Sequence, residues 1–158
     1  MINYYRIMSN TERGTLKFVK THPAAVLPVR KHDDPLTGDA GYDMTAVEQT
    51  TIPARGAAVV PVGLTLADVP PGLWIRIESR SGLQFKHNVH AFGGIIDNPY
   101  RGDMGIKLIN NSDDDYVVQS GDRIAQLVCY PLITPATAWA DEVTATDRGA
   151  NGFGSTGK

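Results

Sequence analysis

Short runs in which apolar and polar positions alternate dominate the chain, and no stretch sustains the i, i+3, i+4 stripe of a long helix. Leu73, Ile75 and Ile77 alternate with Trp74, Arg76 and Glu78, the pattern of a strand with one face against a core. Comparable β-type runs recur at 16–20, 57–62, 105–109, 116–118 and 123–128. Turn-forming clusters separate them: Pro53-Ala-Arg-Gly56, Pro70-Pro-Gly72, Asn110-Asn-Ser-Asp-Asp-Asp115 and Ser120-Gly-Asp122. Ten prolines, spread from Pro23 to Pro135, work against helices of any length. Only the stretch from Ser81 to Lys86 reads as a brief helix. The expected fold is therefore all-β, a sandwich or barrel with at most one short helix. The pattern divides the chain into an N-terminal extension (1–15), a β domain (16–147) and a glycine-rich C-terminal tail (148–158), with no internal repeat or linker.

Composition narrows the function. The 158 residues suit one domain. A net charge of −2 gives no general basic footprint, so a nucleic-acid polymer is not an expected partner. Cys129 is the single cysteine, which excludes an intramolecular disulfide and a multi-cysteine metal site and fits a cytoplasmic or other reducing compartment. No run is long enough to cross a bilayer, so no membrane association is expected. Residues 1–13 mix charge with polarity and lack an apolar segment, so neither a secretory signal nor a transit peptide is read there.

The tail carries the strongest chemical signal. Four of its last ten residues are glycine, which lets main-chain N–H groups turn toward an anion. Arg148, Ser155, Thr156 and Lys158 add charge and hydroxyl donors, and Phe153 offers a flat ring. Together they suit a ligand with phosphates and a base. Gly152 to Lys158 echoes the start of a P-loop, but the chain stops before the Ser/Thr and the helix that such a loop needs.

Four further segments hold candidate groups. Asp39-Ala-Gly-Tyr-Asp-Met-Thr45 sets two carboxylates around a glycine and reads as a turn or a holder of metal-bound water. Glu78-Ser-Arg-Ser-Gly-Leu83 presents Arg80, Ser81 and Gly82 where strand gives way to helix. Arg80 suits a phosphate fork, although a surface arginine beside a capping serine explains the segment equally well. Residues 93–103 read as a hairpin turning at Asp97-Asn-Pro, with Ile95, Ile96, Tyr100 and Ile106 on its arms. Gly93 and Gly94 leave room for another backbone or a ligand, and Asp97 beside two isoleucines suits a general base. Gln126 shares a strand face with Ile124 and Val128; if that face is buried, its amide needs a loop or ligand partner. His87 and His90 fall on opposite faces of an expected strand, against a metal pair. Asp113-Asp-Asp115 lacks the glycine and distal glutamate of a calcium loop and reads as solvated.

In chain order, Asp-Ala-Gly-Tyr-Asp, Arg-Ser-Gly-Leu, Gly-Ile-Ile-Asp-x-x-Tyr-Arg-Gly, Gly-Asp-Arg-Ile-Ala-Gln-Leu and Arg-Gly-x-x-Gly-Phe-Gly-Ser-Thr-Gly resemble the five motifs of trimeric deoxyuridine triphosphate nucleotidohydrolases (dUTPases). The resemblance runs from about Leu16 to Lys158. It implies a jelly-roll-like β-barrel or sandwich and a homotrimer with sites shared between chains. The implied reaction converts dUTP to dUMP and pyrophosphate, limiting uracil incorporation into DNA and supplying dUMP for thymidylate synthesis. Asp97 would direct water at the α-phosphorus, and Tyr100 would lie under the deoxyribose and exclude a ribose 2′-hydroxyl. Arg80, Ser81, Gly82 and Gln126 would face phosphate oxygens, and main-chain groups around Gly94 and Ile96 would pair the uracil edge. Asp43 would support metal-bound water or the site around it. The tail would close as a mobile lid, stacking Phe153 on uracil while Arg148, Gly154, Ser155 and Thr156 grip the triphosphate. Mg²⁺ is implied as cofactor, held mainly by substrate phosphates with no direct protein ligand assigned. Ser79, Gln84 and Asn151 depart from the motif pattern, where proline, a small residue and glycine are usual.

Two other readings share this fold. A dCTP deaminase-like enzyme would attack the base, and the hairpin and Phe-Gly-Ser-Thr tail argue against it. A nucleotide-responsive regulatory protein would use the extension and the acidic loop as surface for a protein partner.

Overall fold

The computed structural model describes residues 14–34, 36–147 and 149–150. The strands are β1 (Lys17–Lys20), β2 (Tyr42–Thr45), β3 (Thr50–Ile52), β4 (Ala57–Asp68) and β5 (Leu73–Ser79). Helix α1 (Ser81–His87) follows, then β6 (Val89–Ala91), β7 (Ile95–Ile96), β8 (Asp103–Asn110), β9 (Tyr116–Val118) and β10 (Arg123–Pro131). Two four-stranded sheets, in the orders β1-β4-β8-β6 and β2-β10-β5-β7, and a two-stranded β3-β9 sheet make a jelly-roll-like sandwich in which the named pairings are antiparallel.

Alternation builds the core. Val60, Val62, Leu64 and Leu66 of β4 and Met104, Ile106 and Leu108 of β8 face inward. Across from them stand Met44, Ile75, Ile77, Ala125 and Leu127 of the second sheet, all in one apolar cluster. Each fully buried leucine or isoleucine contributes about 1.5–3 kcal/mol relative to exposure. Gly63 interrupts β4 with φ +63°, and the β4–β8 register shifts between Pro61 and Thr65. A side chain there would collide with His22, so only glycine bends the long strand at this bulge while its carbonyl accepts from Thr21 N at 2.8 Å.

Several local expectations change. Tyr42–Thr45 is a strand rather than part of a turn, held by β10 and by a bridge from Val29 to Asp43. Instead of lying along a strand with His90, His87 ends α1 and packs on Tyr116, because Asn88 adopts a left-handed conformation (φ 54°) that stops the helix before β6. The acidic loop is not simply solvated. Asp113 pairs with Arg55 Nη2 at 2.6 Å, and Asp115 accepts from Ala54 N at 2.8 Å. Beneath it Asn110, the buried polar residue of the described core, donates to the Ile52 and Asp114 carbonyls and accepts from Ser112 N and Oγ.

Candidate active site

The second sheet gathers the cationic half of the site. β10 pairs with β2 on one side and β5 on the other, so Gln126 lies opposite both Asp43 and Glu78. Asp43, with 15% of its side chain exposed, sits between two guanidinium groups: Oδ1 is 3.0 Å from Arg80 Nε and Oδ2 is 2.8 Å from Arg123 Nη1. Arg80 Nη1 also donates to the Arg123 carbonyl at 2.7 Å. Two cations on one carboxylate leave one positive charge for an anion. The Oδ1 contact with Arg80 is close but not aligned as a hydrogen bond, which leaves this buried oxygen with spare acceptor capacity.

Arg80, Arg123, Leu83 and Tyr116 line a cleft of about 280 Å³, which Asp122 also borders. Burial, and secondarily the charge of Asp122, pushes the Tyr116 hydroxyl above its ordinary pKa, so it stays neutral. Ser81 and Gly82 are exposed at the start of α1. Gln126 is half-buried, on the face opposite Ala125 and Leu127. The irregularity between Arg123 and Ala125 turns Ile124 inward as well, so Ile124 does not report the face of Gln126. Gly41 leaves space beside Gln126: a Cβ there would lie 2.8 Å from Gln126 Cβ and 3.2 Å from Val128 Cγ2.

The hairpin forms the second half. Ile95 and Ile96 pair with Arg76 and Ile75, and the turn closes through Tyr100 N donating to the Asp97 carbonyl at 3.0 Å. Asn98 Nδ2 reaches the Pro70 and Leu73 carbonyls at 2.9 and 3.1 Å. Arg101 Nη1 holds the Asn98 and Tyr100 carbonyls, and Thr65 Oγ1 is within donating distance of the Arg101 and Gly102 carbonyls. These ties leave Asp97 exposed at the tip. Beside it a cavity of about 290 Å³ is walled by Gly93, Gly94, Ile96, Tyr100 and Ile77, with Met104 also lining it. Gly93 lies 3.5 Å from Ile77 by its would-be Cβ, an ordinary contact, whereas Gly94 faces open space.

Sequence reading missed Arg123, Asn98 and the role of Ser79. Arg123 stands within the Gly-Asp-Arg-Ile-Ala-Gln-Leu motif, but nothing local connects it to Asp43. Ser79 Oγ accepts from Ala91 N at 3.0 Å and lies 3.3 Å from the Ala91 carbonyl, joining β5 to β6 across the two large sheets. That exchange gives Ser79 a structural task in place of the usual proline.

Within one chain Asp97 and Arg80 stand toward opposite ends of β5. Asp97 lies beyond the Ile96–Ile75 pair, toward the Trp74 end of β5, while Arg80 follows its other end. Six residues of strand separate those levels by roughly 20 Å. Arg148, Phe153, Gly154, Ser155 and Thr156 lie outside the described residues.

A β-sandwich with a cationic cleft on one side and an apolar cavity edged by bare glycine backbone on the other is suited to a phosphorylated nucleoside. The chain belongs to the dUTPase family, whose profile matches residues 33–157. It is 44% identical over 142 residues to a deoxyuridine 5'-triphosphate nucleotidohydrolase of Oryza sativa subsp. japonica, covering 90% of this chain and 80% of the relative. It is 41% identical over 144 residues to the corresponding protein of Paramecium bursaria Chlorella virus 1, with 91% and 99% coverage. A Staphylococcus bacteriophage 80alpha dUTPase solved with dUpNHpp superposes with a TM-score of 0.81 at 28% identity, over 91% of this chain and 99% of that one. A phage phi11 dUTPase mutant, 26% identical with a TM-score of 0.74, is described with a structural Mg(II) ion and covers 84% of this chain and 100% of that one. No described helix is long and apolar enough to cross a membrane.

Proposed function

We propose that this dUTPase hydrolyses dUTP at sites that neighbouring copies of the chain complete, in a homotrimer. The supporting observation is the separation of roughly 20 Å between the Asp97 and Arg80 ends of β5, which exceeds the reach of one triphosphate. The cationic cleft of one copy then faces the hairpin of another. Family membership favours dUTP over the deaminase substrate.

Asp97 takes a proton from the water as the water oxygen bonds to the α-phosphorus. The bond from that phosphorus to the bridging oxygen breaks, and pyrophosphate departs. Positioning and charge stabilisation supply most of the acceleration in such transfers. Arg80, Ser81, Gly82 and Gln126 bind the departing oxygens, with Arg80 oriented by Asp43. The main chain at Gly94 and Ile96 pairs the uracil edge, and a cytosine edge would leave part of that pairing unmade. Tyr100 lies under the deoxyribose. Arg148, Phe153, Gly154, Ser155 and Thr156 complete the substrate contacts as a closing tail, a role that rests on their motif alone.

Mg²⁺ carried on the triphosphate would offset the charge that develops on the departing pyrophosphate. No group of three His, Cys, Asp or Glu side chains converges among the described residues, whereas the spare acceptor of buried Asp43 Oδ1 fits a metal-bound water. Incubation with each dNTP and Mg²⁺, with mass measured by light scattering, tests the reading. Pyrophosphate from dUTP and a trimer mass are expected; no release above a no-enzyme control, or an active monomer, overturns it.

A further inference from the structure

Tyr100 is held in one pose by its neighbours along the hairpin. Its hydroxyl donates to the Asp103 carbonyl at 3.0 Å, and the Asp103 carboxylate in turn accepts from Thr21 Oγ1 at 2.7 Å. Between Tyr100 and Asp103 the ring folds back over Gly102. A Cβ at position 102 would overlap the Tyr100 hydroxyl and stand 2.6 Å from Cζ and 3.0 Å from Cε2. Gly102 is exposed and outside the left-handed region, so its backbone suits alanine. The obstacle to a side chain there is the Tyr100 ring itself. Thr65 Oγ1, within donating distance of the Gly102 carbonyl at 2.8 Å, keeps the main chain from moving aside, so the ring yields first.

We propose that Gly102 is a specificity-determining residue of this site: it is the seat that fixes the Tyr100 ring, and the ring in that seat closes the space a ribose 2′-hydroxyl would occupy. The inference rests on the reading of Tyr100 as the surface beneath the deoxyribose. Tyr100 and Asp103 both line the cavity beside the hairpin, so a ring lifted from Gly102 changes the shape of that cavity where the two meet. A site that excludes a group by sterics discriminates only as well as its wall is fixed.

The test compares kcat/KM for UTP and dUTP in the full-length wild type, Gly102→Ala, Tyr100→Ala and the double variant, with Mg²⁺ present. Gly102→Ala is expected to raise the UTP to dUTP ratio by about tenfold. Because Gly102 acts through the ring, adding Gly102→Ala to Tyr100→Ala should leave the ratio where Tyr100→Ala put it. A misfolded fraction lowers both rates alike and leaves the ratio unaltered, so the comparison reads specificity rather than stability. A wild-type ratio in Gly102→Ala overturns the inference, as does an equal further rise in the double variant. A wild type that does not prefer dUTP to UTP removes the underlying reading of Tyr100, an outcome visible without any variant.

Discussion

Asp43 holds Arg80 in place: its Oδ1 lies 3.0 Å from Arg80 Nε, while Oδ2 is 2.8 Å from Arg123 Nη1 across the β2–β10 edge. The carboxylate thus sets the direction of Arg80, proposed to bind phosphate, without cancelling the charge of both cations. Asp43→Ala removes a largely buried carboxylate from between a part-buried Arg80 and a half-exposed Arg123, and because solvent reaches both cations the cost should be only about 1 kcal/mol. Thermal unfolding should show that loss, and kcat should fall as Arg80 loses its orientation. Arg123→Ala should instead raise KM for dUTP severalfold with a smaller change in kcat, because Asp43 then neutralises Arg80 alone. Steady-state kinetics on both variants separates the two roles; unchanged parameters in Asp43→Ala would remove Asp43 from the site.

The long strands are legible because β4, β5 and β8 bury alternate residues over seven to twelve positions. β2, β3 and β6 span only three or four residues, too few for a period to show, and β2 follows the turn-forming Asp39-Ala-Gly41. The motif order indicated which residues to place at a site. It did not reveal that Asp43 grips Arg123, which is 80 positions away and is brought near by β10 lying beside β2. The burial of Ile124 does not extend to Gln126, because the register shift between Arg123 and Ala125 breaks the alternation of β10 there. Asn98 read as a turn residue, since its contacts with the 69–73 connection are tertiary.

Asp97 stands exposed at the hairpin tip, with its carbonyl, rather than its carboxylate, closing the turn. Asn at this position keeps the shape and removes the proton acceptor. Asp97→Asn should therefore lower kcat by about 10²–10⁴-fold while KM for dUTP changes by less than about threefold. Calorimetric titration with a non-hydrolysable dUTP analogue, run beside the kinetics, should confirm retained binding. Wild-type turnover would exclude Asp97 as the base.

Burial raises the Cys129 thiol pKa above its ordinary value, with the charge of Arg30 opposing weakly. The thiol on β10 should therefore react slowly with a disulfide reagent at pH 8, and much faster once urea exposes it. Linkage fixes the sign of its effect on stability. The folded-state pKa is the higher one, so the contribution is complete below the unfolded thiol pKa and is lost as pH rises through the folded value. The difference between the denaturation midpoints of wild type and Cys129→Ala should be constant at neutral pH and change only in that alkaline window, where wild type loses more stability. A thiol that reacts equally fast folded and unfolded would contradict this.

Asn110 separates stability from catalysis. It is fully buried, and its amide serves β3, the acidic loop and Ser112 together. Asn110→Ala leaves two carbonyls and a main-chain N–H without these partners, costing about 2–4 kcal/mol. The melting temperature should fall, while kcat per folded molecule should hold, because Asn110 lines neither cleft. A large loss of kcat in protein shown to be folded would mean that the acidic loop shapes the site.

Asn98 couples the fold to the chemistry most directly. Its side-chain amide spans from the hairpin to the connection between β4 and β5, donating to the Pro70 and Leu73 carbonyls while Asp97 precedes it in the chain. Asn98→Ala removes those donors and costs about 1–2 kcal/mol of stability. The greater effect should be on rate. A general base must hold its water in line with the bond being broken, and a displacement of about 1 Å can cost about 10²-fold. With the cationic cleft also holding the substrate in the proposed arrangement, KM should move by less than about threefold while kcat drops by about 10–100-fold. Asn98→Asp has nearly the same size but sets a carboxylate against carbonyl oxygens, so it should not rescue and should be the less stable variant. If Asn98→Asp retained wild-type kcat, shape alone would position the base, and the amide hydrogen bonds would have no part in catalysis.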